Sequence, residues 1–179
     1  MDYSLPWDRT TLTWTLGTTV FLLAAAGVSL LWYRQATKAG AIGWPSLVAA
    51  AACVASLLAL LAVAPLGIRI ERSSLQIRRP IGALHYDLGQ VTSVEVVPYE
   101  TVFTPGTWRT FGVGGPFGLI GRFRSPAIGP FRSAVTRRAD LVLLKFKEAP
   151  PLVLSPASPA DLAAALARAR AALGAPSGV

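Results

Sequence analysis

Two long stretches without a charged side chain constrain this chain more than any other feature. Residues 10–33 and residues 39–68 contain no Lys, Arg, Asp, Glu or His. Each stretch exceeds the roughly 20 residues that an α-helix needs to cross a hydrocarbon core of about 30 Å. A signal peptide has a shorter apolar region, and a helix of a globular core is usually shorter as well. We therefore predict two transmembrane helices, at residues 12–33 and 44–66.

Aromatic residues mark the ends of these stretches. Trp14 lies near the start of the first, Trp32 and Tyr33 lie at its end, and Trp44 opens the second. Amphipathic rings of this kind favour the headgroup region of a bilayer. The link between the two stretches is short and polar, so residues 1–67 are expected to form a transmembrane helical hairpin.

Basic residues near the spans predict its orientation. Arg34 and Lys38 lie in the link, whereas the opposite side has five arginines close to the spans: Arg9, Arg69, Arg72, Arg78 and Arg79. Cytoplasmic flanks carry the excess of Lys and Arg, so we expect both termini in the cytoplasm.

Small residues recur along both predicted helices. Ala51, Ala55 and Ala59 follow one another at intervals of one turn in the second, and Ala25 and Ser29 do so in the first. Such strips allow close approach of another helix. An equally good interpretation is that alanine is simply common in this chain. The single cysteine, Cys53, lies within the second span and allows no disulfide within the chain.

After residue 67 the pattern changes to short runs of alternating apolar and polar residues separated by turn residues, which is typical of a β-rich domain. We predict a hairpin over residues 68–77 and further strands at 83–87, 91–97, 117–123, 128–136, 141–146 and 152–154. About seven strands indicate a barrel or a sandwich.

A helix is predicted at the end of this domain, over residues 159–173. Ser158 is a suitable cap, Pro159 suits the first helical position, and Gly174 ends the helix. Four residues share one apolar face that should pack on the strands: Leu162, Leu166, Ala169 and Leu173.

Several short motifs add a resemblance to this architecture. Residues 109–123 read RTFGVGGPFGLIGRF, and Ile128-Gly129, Thr136 and the LVLSP of residues 152–156 follow. With the N-terminal hairpin and the final helix, the chain resembles the bacterial pleckstrin-homology-like (PH-like) domain proteins over residues 68–173. The resemblance implies a membrane α-helical hairpin plus a PH-like β-barrel of about seven strands capped by one C-terminal helix. It also implies a multi-pass protein of the bacterial cytoplasmic (inner) membrane, and no common chemistry.

The glycine-rich stretch is one candidate site. Its glycines are Gly112, Gly114, Gly115, Gly118 and Gly121. Backbone amides of such a segment can turn toward a phosphate, but the spacing matches neither a dinucleotide fingerprint nor a P-loop. A flexible or bulged loop between strands is the interpretation that we favour.

The arginines of the β-rich domain are the second candidate. Residues after Ile68 include fourteen Lys and Arg but only seven Asp and Glu. We predict contacts with lipid or another ligand at Arg109, Arg122, Arg124, Arg132, Arg137 and Arg138. Near an anionic leaflet each such charge contributes about 1 kcal/mol of attraction. Ordinary solvated arginines on a cytoplasmic domain are the alternative.

Catalysis is not indicated by the remaining residues. His85 is the only histidine and is expected to be a half-buried residue of a strand, and the acids show no paired or metal-ligand spacing. We therefore expect no enzyme activity, metal or cofactor. No stacking aromatics or known motif accompany the basic residues, so nucleic acid is not expected as a partner.

The predicted role is non-catalytic. The sequence favours a membrane-anchored PH-like protein that mediates protein–protein association or self-association at the cytoplasmic face, with membrane lipids and an unknown protein or a second copy as partners. Two alternatives stay open: a module that senses anionic lipids, and an accessory subunit of a transporter or envelope enzyme.

Overall fold

Two antiparallel helices form the first unit of the computed structural model, which describes residues 1–174. Helix α1 spans Arg9–Lys38 and helix α2 spans Trp44–Val63. Both are long and apolar enough to cross a membrane, and only 11% and 6% of their most apolar segments is buried. A helix in the core of a globular domain would be mostly buried, so the structure indicates membrane association.

The helices contact each other through small residues. Ala26 of α1 and Ala50 of α2 are buried, and Ser46 and Cys53 of α2 are partly covered on the same side. Small side chains let two helix backbones approach closely. Of the strips noted in the sequence, Ala25 and Ser29 are partly covered, whereas the strip Ala51, Ala55 and Ala59 is exposed.

The first sheet has four antiparallel strands in the order β1-β2-β3-β4. Its strands are β1 (Asp2–Tyr3), β2 (Gly67–Glu71), β3 (Ser74–Arg78) and β4 (Ala83–Asp87). Strands β2 to β4 are where the sequence predicted them. Strand β1 is an addition from the extreme N-terminus, and it pairs with β2 so that Asp2 is opposite Arg69.

The second sheet has six strands in the order β5-β9-β10-β8-β7-β6. They are β5 (Val91–Val97), β6 (Trp108–Gly115), β7 (Gly118–Ser125), β8 (Gly129–Val135), β9 (Leu141–Phe146) and β10 (Leu152–Leu154). All pairs are antiparallel except β10 with β8. Strand β6 was not predicted, because its glycines hide the alternating pattern.

Helix α4 (Pro159–Gly174) closes the domain where the sequence predicted a helix. Leu162 and Leu166 are buried and Ala169 packs beside them, but Leu173 is 43% exposed. The predicted apolar face is therefore correct for its first three turns and wrong for its last residue.

Two apolar clusters lie on opposite faces of the six-stranded sheet. The larger joins both sheets and α4, with Leu75, Leu144, Leu152 and Leu162 at or below 1% exposure. The smaller lies under a short helix, α3 (Tyr99–Val102), and includes Val102, Phe123 and Phe131. Burial on both sides explains why β9 reads as a continuous apolar run rather than an alternating one.

Candidate functional site

The glycine-rich stretch is a paired hairpin in the structure rather than a flexible loop, although its ladder shifts register between Arg109 and Phe111, as at a β-bulge. Gly112, Gly114 and Gly115 belong to β6, Gly118 and Gly121 belong to β7, and only Pro116 and Phe117 lie between the strands. Gly112 and Gly121 are directly opposite each other, both with φ above 110°. A Cβ atom on Gly112 would overlap the Ile120 carbonyl oxygen, and one on Gly121 would overlap that of Phe111. These glycines serve close strand pairing, because any side chain would separate the two backbones.

The tip of this hairpin is attached to the first turns of α1. The Phe117 amide donates a 2.8 Å hydrogen bond to Thr15 Oγ1, and the Phe117 ring meets Trp7 edge-on at 5.6 Å between centroids. Phe117 is 3% exposed and has a φ of 60°. Such a backbone conformation is strained for a bulky residue, so the contacts with α1 and Trp7 hold it in place.

Residues 1–8 also belong physically to the β-rich domain. The Leu5 side chain lies in the larger core cluster, the Ala157 amide donates to the Ser4 carbonyl at 3.1 Å, and Thr136 Oγ1 donates to the Pro6 carbonyl at 2.8 Å. The N-terminal unit predicted over residues 1–67 therefore contains a segment that packs with the domain predicted over residues 68–179.

Asp8 joins the domain to the hairpin. Its carboxylate accepts the Thr11 amide at 2.6 Å, which caps α1, and it accepts the Arg138 amide at 3.0 Å. Burial raises the pKa of this carboxyl, but the hydrogen bonds from the Thr11 and Arg138 amides outweigh burial, so the pKa lies below its ordinary value. The charged form of Asp8 is thus part of the folded state.

A cleft of ≈ 660 Å³ opens where the two sheets diverge beside α2. One wall is the C-terminal half of α2, the second is formed by β3, β4 and the residue after β3, and the third by β6, β7 and β8. Most of the surface is apolar, with Ile77, Leu84, Val113 and Ile120 among the lining residues. Its volume is within the range of about 300–1,000 Å³ that is typical of ligand pockets.

Three arginines line this apolar cleft. Arg122 and Arg132 are directly opposite each other on β7 and β8, and Arg79 approaches from the other sheet. The Arg79 Nε atom is buried and has no hydrogen-bond partner among residues 1–174. The Arg132 guanidinium carbon is 5.9 Å from the centroid of the Tyr86 ring. Ion pairs in the described part of the chain join Arg69 to Asp2 and Lys145 to Glu95, so they neutralise none of the three.

This arrangement favours an anionic ligand. Like charges at directly opposite positions of neighbouring strands destabilise a sheet unless a counter-charge lies between them. A buried guanidinium nitrogen without an acceptor also carries a desolvation cost. A phosphate or carboxylate in the cleft would offset both costs, and arginine binds such groups through two parallel hydrogen bonds.

The other four arginines predicted as ligand contacts do not line the cleft. Arg109 and Arg124 are exposed on the β6–β7 hairpin, and the Arg124 guanidinium carbon is 6.0 Å from the Trp108 ring centroid. The Arg137 guanidinium donates to the carbonyls of Pro156 and Ala157, so it supports the approach to α4. Arg138 is exposed beside Asp8. The structure brings together two of the six predicted arginines and adds Arg79.

Sequence reasoning missed Arg79 as a site residue and misjudged His85. Arg79 follows β3 and was used only for the orientation, because no local pattern shows that β3 faces β7 and β8 across a gap. His85 is exposed on β4 rather than half-buried. No group of His, Cys, Asp and Glu able to hold a metal ion is present in the described residues.

The family comparison covers the domain that holds this cleft. Residues 66–170, more than half of the chain, match the model of the bacterial PH domain family. The chain belongs to the bacterial PH domain family. This confirms the resemblance seen in the sequence and the PH-like fold of two sheets and one C-terminal helix. Comparison with curated proteins and with solved structures finds no match.

The matched residues run from the start of β2 into α4, so these elements bound the bacterial PH domain. Helices α1 and α2 and strand β1 lie outside the matched residues, although β1 pairs with β2, α1 contacts β6, and α2 lines the cleft. The α2 wall of the cleft is therefore an addition of this chain to the matched domain.

Proposed function

We propose that this chain is a non-catalytic, membrane-anchored recognition module whose bacterial PH domain binds an anionic ligand at the membrane surface. The observation that carries this proposal is the set Arg79, Arg122 and Arg132 in an apolar cleft, with the Arg79 Nε atom buried and unpaired. Of the roles predicted from the sequence, recognition of anionic lipid is the one that this geometry supports best.

Binding to an anionic probe tests the proposal. The full-length chain in neutral detergent is titrated with phosphatidylglycerol and with phosphatidylcholine, and bound lipid is counted by native mass spectrometry. We expect preferential binding of phosphatidylglycerol, and a loss of at least about tenfold in affinity when Arg79, Arg122 and Arg132 are replaced together by Gln.

A matched triple variant is the control. Replacing Arg109, Arg124 and Arg138 by Gln removes the same charge outside the cleft, so it should leave the preference for phosphatidylglycerol almost unchanged. An equal loss in both triple variants would mean that general surface charge, and not the cleft, attracts the lipid. A lack of preference in the parent chain would contradict the proposal directly.

Sidedness is part of the same proposal. Both helices are proposed to span the bacterial cytoplasmic membrane, with the PH-like domain and both termini in the cytoplasm, because Arg9 and the arginines of β2 and β3 lie at one end of the hairpin and Arg34 and Lys38 lie at the other. In a Cys53→Ala background, Ala41→Cys should react with an impermeant thiol reagent on intact cells. Glu148→Cys should react only after permeabilisation, and the reverse result would contradict the orientation.

Self-association is a second candidate function, and one observation favours it. Ala51, Ala55 and Ala59 are exposed and not covered by α1, so this face of α2 is open to a second helix. An Ala55→Leu variant should then reduce disulfide crosslinking through cysteines placed at Val48 in native membranes. A Val28→Leu change on the exposed face of α1 is the control, and crosslinking that is equal in all variants would exclude this face.

A further inference from the structure

One wall of the arginine-lined cleft is a face of a membrane helix. Ser56, Ala59, Leu60 and Val63 of α2 all line the cleft, and their spacing of three, four and seven residues places them on one side of the helix. From Ser56 to Val63 this face extends about 10 Å along the helix axis, at ~1.5 Å per residue. The cleft therefore continues from the domain along the side of α2.

This α2 face is open as well as apolar. Ser56 and Ala59 are exposed, and α1 covers a different side of the helix through Ala50 and Cys53. Phe111, which also lines the cleft, is 74% exposed, and an exposed aromatic ring of this kind favours the headgroup region of a bilayer. With α2 in the bilayer as proposed, this open face gives a molecule of the adjacent leaflet lateral access to the cleft.

The part of the cleft that the two sheets line carries the positive charge. Arg122 and Arg132 are neighbours across β7 and β8, and Arg79 completes the group. The lining thus has two halves: an apolar wall on α2, and three guanidinium groups contributed by the two sheets. A soluble anion would use only the second half, whereas an amphiphile with a phosphate headgroup and an acyl chain would use both.

We infer that the cleft takes a single anionic phospholipid from the adjacent leaflet, with its phosphate between Arg79, Arg122 and Arg132 and one acyl chain along Ser56, Ala59 and Val63 of α2. This rests on the proposed function, and it adds the class of ligand, its orientation and its route of entry. The acyl chain fills apolar space that the two sheets leave open. The phosphate supplies the hydrogen-bond acceptor that the Arg79 Nε atom lacks.

Filling the apolar half tests the inference separately from the charges. Ala59→Phe places a ring in the α2 wall while all three arginines remain. We expect this variant to bind phosphatidylglycerol at least about tenfold more weakly in native mass spectrometry of the full-length chain. Ala24→Phe, the same change at an exposed position of α1 outside the cleft, should bind like the parent.

The second test is competition with a lipid headgroup that has no acyl chain. Glycerol phosphate at a hundredfold excess should fail to displace phosphatidylglycerol, because it cannot use the α2 wall. A phosphatidylglycerol with a photoreactive group in its acyl chain should crosslink to α2 between Ser56 and Val63. Crosslinks confined to other parts of the hairpin would overturn the inference.

The outcomes separate the two proposals. If the cleft-arginine triple variant loses lipid but Ala59→Phe binds normally and glycerol phosphate competes, the anionic site stands and the lateral lipid site is wrong. If the cleft-arginine variant binds as tightly as the parent, the proposed function is wrong as well. A second copy of the chain in the cleft would give crosslinks between chains that do not depend on phosphatidylglycerol, and this would also overturn the inference.

Discussion

Thr15 of α1 accepts a hydrogen bond from the Phe117 amide at 2.8 Å while its own hydroxyl donates to the Thr11 carbonyl at 2.7 Å. The residues are 102 positions apart, one on a membrane helix and the other at the tip of the β6–β7 hairpin. This buried pair fixes a turn of the PH-like domain to the helix, and the tip cannot move away without leaving a buried amide unpaired.

Thr15→Val should weaken this attachment. The substitution keeps the shape of the side chain but removes the acceptor of the Phe117 amide, and a buried donor without a partner costs about 1–3 kcal/mol. We expect a lower thermal midpoint in detergent and faster amide hydrogen exchange at Gly115, Phe117 and Gly118. Thr13→Val is the matched control, because the Thr13 hydroxyl is exposed and bonds only within α1. Equal exchange in the two variants would contradict the role of Thr15.

Asp8 should make the stability of the contact between the domain and α1 depend on pH. Its pKa is lowered in the folded state, so its contribution is fully present above the ordinary carboxyl value of about 3.9 and is lost as the pH falls through the lower folded value. Asp8→Asn keeps a good helix cap but removes this ionisation, whereas Asp8→Ala loses the cap at a cost of about 1 kcal/mol. Thermal midpoints measured from neutral pH down to below the ordinary value should fall more steeply for the parent than for Asp8→Asn. Parallel curves would show that Asp8 does not carry the effect.

Gly121→Ala should disrupt the β6–β7 hairpin. Its φ of 129° is rarely adopted by residues with a side chain, and a Cβ atom there overlaps the Phe111 carbonyl oxygen. Strain of this kind costs about 1–3 kcal/mol before any loss of pairing. We expect a lower thermal midpoint and faster tryptic cleavage at Arg109 or Arg122. Gly114→Ala is the control in the same hairpin, because its Cβ would meet mainly the mobile end of Arg109. A Gly121→Ala protein as stable as Gly114→Ala would refute the close pairing.

Leu5→Ala should destabilise the PH-like domain although Leu5 precedes the membrane hairpin in sequence. The side chain is 6% exposed and packs in the larger core cluster, so its removal should cost about 2–5 kcal/mol. Leu66→Ala, at a position that is 57% exposed, should change the unfolding free energy by less than about 0.5 kcal/mol. Denaturant unfolding followed by near-UV circular dichroism measures both. If the Leu5 variant proved as stable as the Leu66 variant, residues 1–8 would not be part of the domain.

Much of the fold could be predicted from local patterns. The alternation of Leu75 and Ile77 with polar neighbours placed β3 correctly, and the cap and apolar face placed α4. The pattern failed at β6, where Gly112 and Gly114 stand in place of side chains whose alternation would show a strand. It also failed at β1, because two residues carry no periodicity and Asp2-Tyr3 becomes a strand only by pairing with β2.

The candidate site could be predicted only in part, for a related reason. Composition pointed to the arginines of the domain, and two of the six, Arg122 and Arg132, do line the cleft. Which arginines converge depends on how two sheets and a membrane helix approach one another, and residues such as Arg79 and Ala59 are far apart in sequence. The spacing of residues within one element does not predict how separate elements pack together.

The connection between α2 and β2 has only three residues, so the helix and the sheet cannot move independently of each other. Ala64 and Pro65 are buried, and the Leu66 amide donates to the Arg78 carbonyl at 2.8 Å, so the chain enters the sheet directly from the helix. At 20 residues, α2 is about 30 Å long, which only just matches the hydrocarbon thickness of a typical bilayer. A thinner bilayer makes such a helix lean, and here the whole domain must lean with it. With α2 spanning the membrane and the cleft binding lipid as proposed, the cleft would then shift relative to the phosphates of the leaflet, so bilayer thickness would determine which part of a lipid it faces.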